Sequence, residues 1–470
     1  MNDNSRSSDG NGLIAVIFLI VSILLGLIGL GAGFFFLGRT TTTYEAVILP
    51  DKVASMRWAD TAAISFDLST LDIKDTLEAP AIAVTHSGHV VVAYASQQSD
   101  DQRALFLTRS TDAGQTFTSP QQFRQTKIYH SVSQMNGKEV KRAVRLLPQL
   151  ASGGGKVFLG WLEPNADNTT IYCYVAESTD EGVTFGEPMR VHESEGARPN
   201  FISLAADEHG NVAASWLDTR AGIKQPFASV KLAGEATFQP ETQVYSSPNE
   251  SGVCPCCSTA VTISPSGEVF VAFRNQLDGY RDIYVASRKL AADSEFGPAV
   301  SVVEKPTWKF DGCPHDGPTL AIHNNELHVA WMDASLGQPT CFRSSSPLAT
   351  LQFTPATRLT QSTSDQEGNA KLLSSDAGIS VTWEKSVADG SSADLANTEN
   401  AGTHEHGGAP GSARAIYFES PTQPSRIVAL PSPGVYQSRP AIAYVSGVTI
   451  LAFNQLDDQG KRVVIQAMAP

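Results

Sequence analysis

One short pattern recurs along the chain and dictates its architecture: an apolar strand closing on an aromatic residue, then a polar loop. The copies end at Tyr94, Trp161, Trp216, Phe273, Trp331, Trp383 and Phe453. A self-similar unit repeated at intervals of roughly 50–70 residues marks a propeller, a solenoid or an array. An apolar strand precedes each copy, at 80–84, 148–151, 202–206, 259–263, 318–322, 370–373 and 440–444, usually with a turn residue between, such as Gly88, Gly267 or Asn324. A third strand follows, at 104–108, 171–176, 227–230, 282–286, 341–343, 415–418 and 463–468. A fourth is led by Phe117, Phe185, Phe238, Phe296 and Phe353. Short strands with regular turn signals and no helical period predict an all-β fold, and four strands per unit predict the blades of a β-propeller. Seven blades are expected, with six as the alternative if one unit is degenerate. The last unit offers only three strands. A segment ahead of the first unit, 44–50 or 62–68, is therefore expected to close the ring.

The N-terminus follows different rules. Residues 13–37 carry no charge and are nearly all apolar, which at 1.5 Å per residue is long enough to cross a bilayer core of about 30 Å. A cleaved signal peptide has a shorter apolar region of about 7–15 residues, so an uncleaved anchor is expected. The chain then divides into a short cytoplasmic tail (1–12), a transmembrane helix (13–38), a juxtamembrane linker with the possible ring-closing strand (39–75) and the propeller (76–470). Arg6 and Arg39 flank the apolar run, so charge does not fix orientation. A β domain with clustered cysteines is expected outside the cytoplasm, which is the periplasm if the cell is Gram-negative. The net charge of −14 argues against a nucleic-acid partner, which selects a basic face.

Two turns between third and fourth strands share one sequence. Ser110, Asp112, Gly114 and Phe117 in the first copy match Ser178, Asp180, Gly182 and Phe185 in the second. An Asp that bonds nearby amides and a Gly that takes positive φ suit a tight hairpin. This resembles the Asp-box, or BNR repeat, of sialidase-like propellers. The resemblance implies that the boxes are structural and lie away from the usual active face. It also implies three arginines gripping a carboxylate, a Tyr–Glu pair and an Asp acid. Arg145, Arg198, Arg274, Arg281 and Arg439 lie near strand ends, and Tyr280 and Tyr436 are candidate nucleophiles. None matches the family pattern, and no Phe-Arg-Ile-Pro-like segment is present. An exo-sialidase-type hydrolase is therefore the alternative reading, with no catalytic residue assigned.

Two adjacent units break the repeat at one place. Cys254, Pro255, Cys256 and Cys257 precede one first strand; Cys313, Pro314, His315 and Asp316 precede the next. The offset that aligns Ile263 with Ile322 also puts Cys254 on Cys313 and Cys256 on His315. These are equivalent positions on neighbouring blades, so their side chains should converge at the channel mouth. The paired CPCC and GCPH segments are similar to those of some exported bacterial Asp-box propellers. Thiolate and imidazole ligands suit copper or zinc. The competing reading is disulfides, since thiols oxidise outside the cytoplasm and four cysteines allow three pairings; the domain is then a protein-interaction platform. In the sixth unit a long Gly/Ala/Ser-rich loop carries His404 and His406, placed to hang over the cluster as further ligands. Cys173 and Cys341 read as buried apolar residues. Arg274, Arg281, Trp308 and Asp316 are expected to rim the cluster as a pocket for a metal, glycan or protein ligand.

Overall fold

In the computed structural model of the chain, residues 64–67 and 78–468 are described, except 100, 136–137, 221, 251, 292–293, 362–364, 387–413, 429–434 and 458–459. All belong to one compact unit. The predicted anchor at 13–38, the tail at 1–12, the candidate strand at 44–50 and the loop histidines His404 and His406 lie outside the described residues. No helix among the described residues is long and apolar enough to cross a membrane.

The aromatic-ended strand is the second strand of its blade and the most deeply buried. Val90, Val91, Val92 and Ala93 are fully buried, as are Trp161, Trp216 and Trp383. Neighbouring blades cover both faces of each sheet, so these strands read as continuous apolar runs rather than alternating ones. Six four-stranded blades are made of consecutive strands, at residues 81–127, 149–190, 199–243, 260–301, 319–358 and 367–427. The last three strands, Tyr436–Val445, Val448–Asp457 and Gly460–Met468, are completed at their outer edge by Ile64–Asp67, and His130–Met135 pairs with Lys138–Ala143 as a separate hairpin. Ile64 pairs opposite Ile465 and Asp67 opposite Arg462. The first strand of each blade touches the first strand of the next, and Tyr436–Val445 touches both Glu367–Ser375 and Ala81–Val84, closing the ring. The seven expected units thus resolve into six blades of consecutive strands and one composite.

Apolar clusters fill the gaps between blades. One joins Phe158 and Cys173 to Trp216 and Phe227; another joins Phe270 and Val285 to Trp331 and Phe342. Each such large side chain contributes roughly 1.5–3 kcal/mol on burial. Cys173 and Cys341 are buried within this packing.

The fourth strands differ from expectation. Phe185, Phe238, Phe296 and Phe353 pack against the core from the turn itself. The strands follow later and span only two residues each, Met189–Arg190, Thr242–Gln243, Val300–Ser301 and Thr357–Arg358.

The two matching turns close identically. Ser110 Oγ accepts from the Gly114 amide at 2.8 Å and Asp112 Oδ1 from the Thr116 amide at 2.9 Å. The Ser178 and Asp180 bonds to Gly182 and Thr184 have the same lengths. Gly114 and Gly182 hold φ of 85° and 76°. Each turn also docks on the preceding sheet: a Cβ at Gly182 would meet Val91 at 2.8 Å, and one at Gly114 would meet Ile450 at 2.7 Å. Since strands alternate in direction, these turns lie on the face opposite the starts of the first strands.

Candidate metal centre

The fourth and fifth blades enter the ring through Cys254–Ser258 and Cys313–Gly317. Their first strands begin at Ala260 and Thr319, which pair with Ala272 and Ala330 at equivalent places. Gly317 lets the two entry segments meet, since a Cβ there would lie 2.2 Å from the Ser258 carbonyl oxygen. The backbone at His315 turns through the left-handed region, φ 54°, uncommon for a residue with a side chain.

The predicted ligands converge. Cys254, Cys256 and Cys257 offer three sulfurs within 4.8 Å of one another; Cys256, Cys313 and His315 offer a second such group. Cys256 belongs to both. Cys254 Sγ lies 3.4 Å from Cys257 Sγ and 3.7 Å from Cys256 Sγ. No disulfide joins any of the six cysteines, so the disulfide pairing entertained from the sequence is not what the structure holds; a bridge needs sulfurs about 2.05 Å apart. Exposure is graded. Cys254 and Cys257 are 1% and 2% exposed, Cys256 7%, while Cys313 is exposed.

Cys254 is biased toward thiolate, because Cys256 and Cys257 hydrogen-bond to it and Arg274 and Arg281 face it, against the opposing effect of burial. Its partners move the other way. Cys256 rises through its bonds to Cys254, Cys257 and Cys313, and burial pushes Cys257 up to about 12. Burial brings the Lys224 ammonium, close to Cys256, down to about 8.

The expected rim lies inside instead. Arg274 is buried and spends its guanidinium on carbonyls: Asp316 O at 3.1 and 2.9 Å, Arg281 O at 2.6 Å and Met332 O at 2.7 Å. Burial disfavours its charge, but the Cys257 and Cys254 sulfurs with Asp316 and Asp333 outweigh that and raise its pKa. Arg281 donates to Phe310 O at 3.0 Å and to Gln276. Trp308 is buried, stacked on Phe310 with centroids 5.0 Å apart and 5.4 Å beneath Arg274. Asp316 is buried, accepting the Asn369 amide at 2.6 Å; burial raises its pKa to about 6. These four hold the entry segments from within, because a cation or acid placed this deep needs backbone partners. Phe310, 38% exposed, occupies the outer position.

A polar cluster that the sequence did not announce borders the centre. Glu384 is buried, accepts from Arg414 Nη1 at 2.9 Å, and takes the Arg439 amide and Asn369 Nδ2 at 2.6 Å each. Arg439 Nη1 donates to Asn369 Oδ1 at 2.7 Å and reaches His315 O at 3.5 Å. Arg414 lies 5.7 Å from the Tyr436 ring. Burial lowers the pKa of Lys371, which lies near Asp316, Arg439 and Glu384. Charged residues inside otherwise apolar strands, Lys371 and Glu384, were the available signal. Arg198 bonds its own neighbours, Ala197 O at 2.8 Å and Glu195 O at 3.3 Å. Arg198, Arg274 and Arg281 thus give their guanidiniums to carbonyl oxygens of the chain.

No protein-family model matches the chain, and no curated protein matches it. Among solved structures it is similar to Trypanosoma rangeli sialidase in complex with the inhibitor DANA, at 10% identity and a TM-score of 0.42, over 72% of this chain and 57% of that one. It is also similar to Penicillium chrysogenum alpha-L-arabinanase complexed with arabinobiose, at 12% identity and a TM-score of 0.42, over 87% and 98%. Hadza microbial sialidase Hz136 gives 13% identity and a TM-score of 0.42, over 65% and 62%. The chain thus spans a little over half the length of the trypanosomal enzyme. At such low scores these likenesses bear on no particular activity, and the propeller rests on the strand pairing itself.

Proposed function

We propose that the chain is a membrane-tethered, extracytoplasmic propeller that binds a soft metal ion, copper above zinc, between its fourth and fifth blades. The observation that carries this reading is the convergence of four thiols outside any disulfide and one imidazole in two groups, each within 4.8 Å, from segments that occupy one address on adjacent blades. Thiolate-rich sites with a single imidazole select Cu(I) or zinc over harder ions. Three-ligand groups suit Cu(I) better, since zinc in structural sites takes four. Arg274 and Arg281 supply positive charge against the thiolates. The test is metal analysis of the purified, reduced full chain in detergent. Bound copper or zinc near stoichiometry is expected, lost in the Cys256→Ser, His315→Ala double variant. Absence of bound metal in the reduced wild type after exposure to both ions would overturn the reading.

A second reading, glycoside hydrolysis, is favoured by one observation: Tyr436 beside Arg414, with Glu384 and Arg439 in the same cluster. It resembles part of the Tyr, Glu and Arg set implied by the sialidase-like turns. Release of a fluorophore from a sialoside, abolished in Tyr436→Phe, is its expected outcome. Release equal to the protein-free blank would remove it.

A further inference from the structure

We infer that the centre is two overlapping sites of unequal access, an outer one of Cys313, His315 and Cys256 and an inner one of Cys254, Cys256 and Cys257, through which Cu(I) is passed inward by ligand exchange. The inference rests on the metal reading above and adds to it a second ion, a direction and a class of partner.

The two ligand groups share one atom, Cys256 Sγ. A thiolate has lone pairs enough to bridge two Cu(I) ions, so the groups can be filled together or in succession. Their surroundings differ in one consistent direction. Cys313 is exposed and His315 half-buried, whereas the inner sulfurs are covered. An ion arriving from solvent or from a carrier meets Cys313 first. It can reach the inner group only through Cys256, since Cys254 and Cys257 are closed off. Charge supports double occupancy. Four thiolates with two Cu(I) ions retain two negative charges, and two guanidiniums, Arg274 and Arg281, face the inner sulfurs. Both are fixed by backbone carbonyls, so the balancing charge is in place before any ion binds.

The partner is a Cu(I) carrier with thiolate or thioether ligands, which releases the ion by exchange rather than into water. At each step one copper–sulfur bond forms as one breaks. The thiol proton of the incoming ligand leaves to solvent, and the copper remains Cu(I), so no electron moves. A bridging thiolate lowers the cost of the inward step, because the ion never falls below two sulfur ligands.

The test is anaerobic titration of the reduced full chain in detergent with Cu(I), followed by withdrawal with a chromogenic Cu(I) chelator. Two ions per chain are expected, one removed quickly and one slowly. Cys313→Ser, an exposed change that leaves the fold in place, should remove the fast ion and slow the loading of the other. Cys257→Ser should keep only the fast ion, with an unchanged circular dichroism spectrum confirming the fold. A single ion, two ions withdrawn at one rate, or Cys313→Ser loading the inner ion as fast as wild type would overturn the relay while leaving the metal site. No bound copper, and no zinc in a parallel titration, would overturn the metal reading itself.

Discussion

The junction of the first two blades and the junction of the fourth and fifth are built at one structural address with different chemistry. At the first, Glu78 accepts the amides of Leu146 and Leu147 at 3.0 and 3.1 Å and pairs with Arg103 at 2.6 Å. Leu147 is left-handed, φ 48°, two residues ahead of the paired Gln149. The sixth blade and the closing unit repeat this arrangement. Asn369 (φ 52°) gives its amide to Asp316, and Arg439 (φ 58°) to Glu384. A buried carboxylate thus pins the strained entry residue at three places. The same position in the fourth and fifth blades is Ser258 and Gly317, and the residues ahead of them bring sulfur and imidazole. Where the anion is a carboxylate, it is consumed by backbone donors and serves the ring. Where thiols and an imidazole stand instead, the proposed role is to hold a metal ion.

The most disruptive way to sharpen this contrast is Glu78→Ala. It leaves Arg103 buried without its partner and two amides unsatisfied, a loss of about 3–5 kcal/mol. Urea unfolding should register it while metal content per folded molecule stays the same. A drop in metal content among folded molecules would mean that the carboxylate junctions also serve the site. Gly317→Ala comes next. Its Cβ would press on the Ser258 carbonyl, and separating the two entry segments should cost about 1–3 kcal/mol and abolish metal binding together. Retained binding with full stability would show that the close approach of the segments is not what assembles the ligands. Cys313→Ser inverts the pattern. Stability should stay within about 0.5 kcal/mol, since the thiol is exposed, while metal uptake falls. An apo-protein destabilised as much as by Glu78→Ala would make Cys313 a structural residue, and the contrast would collapse.

How much of this could be read from the sequence depends on whether partners share a repeat. The aromatic-ended strands gave the blades because packing on both faces imposes one apolar run per unit. The same ruler put Cys254 on Cys313, and the structure brings those segments together. The Glu384, Asn369, Arg414 and Arg439 cluster was not legible from it, because its members come from four different strands and the aromatic-ended run carries no signal for which polar side chains meet. The rim residues failed for a related reason. Arg274 and Asp316 look solvent-seeking by type, but their carbonyl and amide partners, Met332 O and Asn369 N, lie on other blades. The paired strands His130–Met135 and Lys138–Ala143 were also missed. Both are polar and so lack an apolar signature, though Asn136 and Gly137 between them form a strong hairpin signal.

The smallest expected effect concerns the opposite face, where an acid is again spent on backbone, this time in water. Bonds from Thr184 hold the Asp180 carboxyl at about 2, below the unfolded value of about 3.9. A depressed folded pKa means that the stabilisation is complete above about pH 4 and is lost as pH falls toward 2. Asp180→Asn should therefore lower the melting temperature slightly at neutral pH, and the gap to wild type should close on acidification. Asp180 is exposed, so solvent screening keeps the effect small. Asp112, with the same bonds but partly covered, is also lowered, against an opposing effect of burial. A gap that stays constant from neutral to acid pH would mean that Asp180 stabilises its turn through shape alone. The charge-based comparison of the two faces would then apply only to the junctions.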